Sequence, residues 1–123
     1  MSERSFERSY VVLLACLWQA LEDVAQTIER DRHEDAADIQ ILRVELALLG
    51  DWIAAPTAAG LLTTFERHLV RDWIWAVRAA LDKATVDHCT AHRVQTIYAL
   101  QDDILDEVQA CIRSRRALGR RTA

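Results

Sequence analysis

Asp87-His88-Cys89-Thr90-Ala91-His92 brings together four side chains of types that bind metals or move protons. On a helix, His88 and His92 stand four residues apart, so both imidazoles share one face and suit a single Zn²⁺ ion. Cys89 lies three residues before His92 and would add a thiolate. The charged segment 29–35 would supply a further ligand, His33, if an up-down bundle returns it to the same end. A simpler reading competes: Thr85 or Asp87 caps a helix, and the imidazoles face solvent. Helical phase supports it, because His88 and His92 point away from the stripe of Val94, Ile97 and Leu105. With Asp87 as cap, Cys89 falls in the first turn, where the helix dipole favours a thiolate. The expectation is a helix start with surface histidines, no catalytic residue, and zinc as the one cofactor this set would suit.

Glu45, Glu66 and Gln101 fall within the apolar arcs of three different helices. They are expected near mid-height as a buried polar layer that sets register at some cost in stability. A ligand site is the alternative. A ferritin-like dimetal centre would need Glu-x-x-His pairs, and the chain has none. Asp102-Asp103-Ile104-Leu105-Asp106 has the form DDxxD, which resembles the first aspartate-rich motif of isoprenyl diphosphate synthases. The resemblance is confined to residues 102–119, and the second aspartate motif and the upstream basic motif of that family are missing. It therefore carries no functional expectation.

Positioning these residues falls to helices. The chain has 123 residues, 51% hydrophobic and 28% charged, with three Gly and one Pro. That suits one domain with few, long helices. Apolar steps of three and four mark four of them. The first stripe is Phe6, Tyr10, Leu13, Leu14, Leu17, Leu21, Val24 and Ile28. The second is Ile39, Leu42, Leu46, Leu49 and Ile53, weakened by Gly50. The third is Leu62, Phe65, Leu69, Trp73, Ala76 and Ala80. The fourth is Val94, Ile97, Tyr98, Ile104, Leu105, Val108 and Ile112. Turns are expected at 29–35, at 54–60 with Pro56 as breaker and Thr57 as cap, and at 82–88. The predicted fold class is all-α, an up-down-up-down four-helix bundle over residues 1–112, followed by a frayed basic tail at 113–123. If the last turn fails to form, helices three and four fuse and the protein is an intertwined oligomer.

The formal net charge is −4, unevenly spread. Five Arg and no acid lie in the tail, leaving 10 basic against 19 acidic residues elsewhere. An acidic body does not suit duplex nucleic acid, and weak binding through the Arg-rich tail is the remaining route to it. The longest apolar run, Tyr10–Trp18, rises only ~14 Å as a helix, short of a ~30 Å bilayer core. The opening Met1–Ser9 mixes Glu and Arg, unlike a signal peptide. Three Cys at no scaffold spacing read as reduced thiols. No membrane and a cytoplasmic location are expected.

The second helix carries more apolar surface than a bundle member needs. Beside its stripe stand Ile41, Val44, Leu48 and Trp52, widening the apolar arc past half the circumference, where a surface helix buries little over 100°. On helix three, Trp75 stands opposite the stripe among His68, Arg71, Asp72 and Arg78, a setting typical of interface anchors. These five residues are the expected contacts of a small helical protein that works by protein–protein contact, as an oligomerising adaptor, regulator or inhibitor. Homo-oligomerisation or a protein partner is expected, and a metal- or small-ligand-binding bundle is the alternative.

Overall fold

Apolar residues at steps of three and four build four long helices, and polar side chains close the turns between them. The computed structural model describes residues 3–30 and 35–122, with the side chains of 9–30 and 36–114. Helix α1 runs Glu3–Glu29, α2 Asp35–Ala54, α3 Thr64–Val86 and α4 Thr90–Thr122, with a 3-10 turn at Pro56–Gly60 between α2 and α3. No strand occurs among the described residues. The chain is an all-α four-helix protein.

Each helix packs on the next, and α1 packs most extensively on α4. Polar contacts show how the helices run. Thr27, late in α1, donates to Asp38, early in α2, at 2.7 Å. Arg43, early in α2, pairs with Asp82, late in α3, at 2.6 Å. Tyr98, early in α4, donates to Glu29, the last residue of α1, at 2.9 Å. These pairings are compatible with an up-down-up-down path. The core joins Leu14, Leu21, Ile28, Leu46, Ile53, Val70, Val77, Leu81, Ile97 and Ile104, all essentially without exposed surface.

Helix α1 buries Tyr10, Leu14, Leu17, Leu21, Val24 and Ile28 of its expected stripe, with Leu13 packed at the edge. Phe6 lies outside the described side chains. Ser9–Glu29 also has a mean hydropathy of 1.4 and by length and composition alone could span a bilayer, which the nine-residue run did not suggest. In this fold its apolar stripe faces the other helices.

The third helix departs from expectation. Its buried face is Val70, Ile74, Val77, Ala80, Leu81 and Ala84. Phe65 is 70% exposed, and Leu69, Trp73 and Ala76 lie half-buried at the rim. The face is turned by about one residue, ~100°, from the predicted stripe. Size misled the pattern: the largest apolar residues are not the innermost. Leu62 is buried but precedes the helix, and Thr63, not Thr57, is the cap. The Thr63 side chain accepts from the Glu66 backbone N–H at 3.1 Å, and the Glu66 carboxylate accepts from the Thr63 backbone N–H at 2.9 Å. This reciprocal capping box satisfies two donors that a helix start leaves open.

Residues 87–89 separate α3 from α4, so the fused rod does not form. Asp87 is extended, with φ −79° and ψ 134°. Its carboxylate accepts from the Cys89 N–H at 2.9 Å, while Arg93 reaches back and donates from Nε to the Ala84 carbonyl at 2.6 Å. An acid and a guanidinium thus make a turn that lacks Gly and Pro. In α4, Val94, Ile97, Leu100 and Ile104 are buried, whereas Leu105 and Ile112 of the expected stripe are exposed. The helix continues through the basic segment to Thr122.

Gly50 sits inside α2, and a Cβ there would meet no atom within 4 Å. Nothing therefore requires glycine, and its backbone freedom only weakens the helix. Gly50→Ala should stabilise the protein by about 0.5–1 kcal/mol. A higher urea midpoint at unchanged slope is the expected result, and a lower midpoint would show that close packing depends on the glycine.

Candidate interaction surface

Helix α2 carries apolar residues on both its inner and its outer side. Ile39, Leu42, Leu46 and Ile53 point into the core, and Leu49 and Trp52 pack against it. Ile41, Val44 and Leu48 lie on the far side, 57%, 51% and 63% exposed. Their steps of three and four make a second apolar ridge on the same helix. Trp52 is half-buried, packed against the core at the flank of the outer ridge.

Trp75 of α3 is 68% exposed. The Arg43–Asp82 pair sets its height relative to α2. Seven residues back from Asp82, at ~1.5 Å each, bring Trp75 level with the stretch around Leu48 to Gly50. By the same count, Val86 stands level with Ile39, ~3 Å along the helix from Ile41. Val86 is 73% exposed and lies three helical turns from Trp75 on the same side. It was missed in the sequence because it falls at the helix end; its eleven-residue spacing from Trp75 was the available signal. Trp75 and Val86 thus stand level with the outer ridge of α2, whose Ile41 also lines a groove shared with Ala20, Asp23 and Val24 of α1.

Charge on this face is divided. Glu45 and Asp51 are exposed on α2, and Arg43 is already paired with Asp82. On α3, Arg71 and Arg78 flank Trp75 and make no ion pair among the described residues. A small cleft of ≈ 260 Å³ between the end of α2 and the start of α3 is lined by Thr64, Arg67, His68 and Arg71, with no carboxylate. The exposed charges around Trp75 are of both signs, because Asp72 stands one turn from it beside Arg71, while Glu45 lines the groove toward α1.

The expected polar layer does not assemble. Glu45 is exposed and Glu66 is engaged in the capping box at the start of α3, so neither lies in a mid-bundle layer. Gln101 alone is buried, 3% exposed. Its amide donates to the Trp18 carbonyl at 3.0 Å and to the Glu22 carboxylate at 3.1 Å, both on α1. Glu22 escaped notice because it sits at the border of the α1 stripe, where a long carboxylate reads as solvent-facing.

The 87–92 stretch is a turn more than a ligand set. His88 and Cys89 precede α4, so the one-turn spacing that would stack His88 on His92 is not formed. Both are exposed; Asp87 holds the Cys89 N–H and lies 3.8 Å from His92 Nδ1. Among the described residues, no three His, Cys, Asp or Glu side chains converge as a metal site would require. His33 lies outside the described residues. A cleft of ≈ 400 Å³ at this end includes Arg43, Asp87, His88 and Arg93, but both guanidiniums already serve α3, one through Asp82 and one through Ala84. Cys16, Cys89 and Cys111 form no disulfide among the described residues. Asp102, Asp103 and Asp106 are exposed, as is Arg113; the side chains of the later Arg residues lie outside the described set. Comparison with protein-family models, curated proteins and solved structures finds no match.

Where α1 meets α3, the Trp73 indole N–H donates to the Tyr10 hydroxyl at 3.1 Å. Burial pushes the Tyr10 hydroxyl up to about 12; the Trp73 bond opposes this, and Glu107, Cys111 and Glu66 add to it. The unfolded phenol ionises near 10 and the folded one later, so the stability from neutral Tyr10 is complete below pH ~10 and is lost as pH rises through about 12. Tyr10→Phe should flatten the alkaline fall in melting temperature across that window. An alkaline fall unchanged in the variant would place its origin elsewhere. Tyr98, raised first by its bond to Glu29, contributes in the same direction.

Proposed function

We propose that this chain works by contact: its α2–α3 face binds another protein surface, as an adaptor, regulator or oligomerising module. The observation that carries the reading is the double-sided apolar character of α2, whose Ile41, Val44 and Leu48 remain more than half exposed after the core is complete. Soluble monomers seldom leave contiguous apolar patches beyond a few hundred Å², and larger ones mark binding sites. Trp75 beside two unpaired Arg adds the residue types that most often carry contact energy. A proposed mechanism follows from these chemistries. Ile41, Val44 and Leu48 supply dry area, Trp75 supplies an anchor, and Arg71, Arg78, Glu45 and Asp51 set orientation.

The double variant Val44→Glu, Trp75→Ala alters only exposed side chains, so its helical circular dichroism should match the wild type. Its binding, to a second copy or to another protein captured from the source cells, should weaken by roughly thirtyfold or more, the loss expected for one hot spot of ~2 kcal/mol. Equal capture by both forms would overturn the reading. So would a wild-type chain that stays monomeric and captures nothing.

A further inference from the structure

We infer that the cleft between the end of α2 and the start of α3 is an anion site, and that the group it takes is phosphate. The inference goes beyond the contact reading and stands whether or not a protein covers α2.

Two turns of helix build the site. Thr64, Arg67, His68 and Arg71 recur at steps of three and four, so they project from one face of α3. Ile53 and Ala54, the last residues of α2, close the cleft of ≈ 260 Å³ that these side chains line. Two guanidiniums, an imidazole and a hydroxyl thus share one small space whose lining has no carboxylate.

No acid of the chain neutralises this set. Among the described residues the ion pairs are Arg43–Asp82 and Asp87–His92, so neither Arg67 nor Arg71 has an ionic partner. Glu66 is held by the Thr63 N–H in the capping box and, by helical phase, projects from the opposite side of α3. Asp72 stands ~100° round the helix from Arg71, and Asp51 precedes Ala54 by one turn of α2. Both are exposed and neither lines the cleft.

Arg67 points to a ligand most directly. It is half-buried, and its Nη2 donates to Thr64 Oγ1 at 3.3 Å. Its Nε is buried and meets no acceptor among the described residues. A guanidinium keeps its charge and all five donors, so a buried donor left unmet calls for an acceptor from outside the chain. Arg71 stands one turn further on. Like charges at this spacing repel, and an anion between them turns the repulsion into attraction.

The donor set favours phosphate over a carboxylate. Guanidinium forks match the oxygens of either group. A carboxylate, however, has one charge and two oxygens to offer two guanidiniums, an imidazole and a hydroxyl. A phosphate monoester brings about −1.5 to −2 charges and three strong acceptor oxygens. Trp75, 68% exposed, stands one turn beyond Arg71 at nearly the same helical phase. An aromatic group esterified to the phosphate would therefore find an indole beside it.

Calorimetric titration of the full chain at constant ionic strength tests the site, with inorganic phosphate and phenyl phosphate as probes. One phosphate group should bind per chain. Arg71→Gln changes an exposed side chain, so its helical circular dichroism should match the wild type. Its phosphate binding should weaken by roughly tenfold or more, the loss of one charge-assisted contact. Arg67 is half-buried, so Arg71 is the deciding variant. Lys83→Gln removes an exposed charge from the same helix outside the cleft and should leave binding unchanged. Tighter binding of phenyl phosphate, lost in Trp75→Ala, assigns the site to an ester; equal binding of the two probes assigns it to free phosphate. Failure of both probes to bind overturns the inference. Binding that survives Arg71→Gln, or that falls equally with Lys83→Gln, does so too. None of these failures bears on the contact reading, which Val44→Glu, Trp75→Ala tests separately.

Discussion

A helix in a ring of four can turn only part of its circumference inward, and α2 is apolar on more than that part. Ile39, Leu42, Leu46 and Ile53 complete the core, and Ile41, Val44 and Leu48 remain more than half exposed. The rest of the structure bears on this excess. The Arg43–Asp82 pair holds α3 beside α2 in a register that sets Trp75 and Val86 at the heights of the outer ridge. The apolar ridge of α2 and the exposed Trp75 and Val86 of α3 are held at matched heights because the two helices are locked side by side.

That locking does not depend on the usual turn residues. Between α3 and α4 the chain reverses through Asp87, whose carboxylate takes the Cys89 N–H, and Arg93, which takes the Ala84 carbonyl. Between α2 and α3, Pro56 opens a 3-10 turn and the Thr63–Glu66 box starts the next helix. Side-chain hydrogen bonds satisfy the open donors and acceptors of the helix ends, which is what lets the helices stop where packing requires. The same economy explains the residues at 87–92: types suited to a metal are here engaged in ending one helix and beginning another.

Buried polarity follows a related rule. Gln101 is tolerated in the core because both amide hydrogens find oxygens on α1. Trp73 stays at the rim, where its N–H can reach Tyr10. A buried polar atom without a partner costs more than its pairing returns, so these bonds fix how α1 lies on α3 and α4. Together they orient the bundle, while among the described residues the Arg43–Asp82 pair is the polar tie between α2 and α3.

Much of the fold was legible in the chain. Scarce Gly and Pro with a 3.6 period dictate long helices, and the stripes of α1 and α2 name most of their buried residues because steps of three and four keep one face inward. The double apolar character of α2, and Trp75 opposite its own stripe, could also be read directly, since both are properties of one helix. The phase of α3 could not. Val70, Ile74, Val77 and Leu81 compete with Phe65, Leu69 and Trp73 as an equally regular stripe, and only the neighbours decide which faces inward. Pairing across helices was equally hidden: Glu45 and Glu66 lie in apolar arcs by sequence, yet one is exposed and the other caps a helix, while Gln101 pairs with Glu22 of α1. The sequence by itself determined which segments are helices and that one of them has an apolar face to spare, because periodicity is local. The tertiary structure alone decided how each helix is rotated and at what height its neighbour stands, because those depend on contacts between residues distant in the chain.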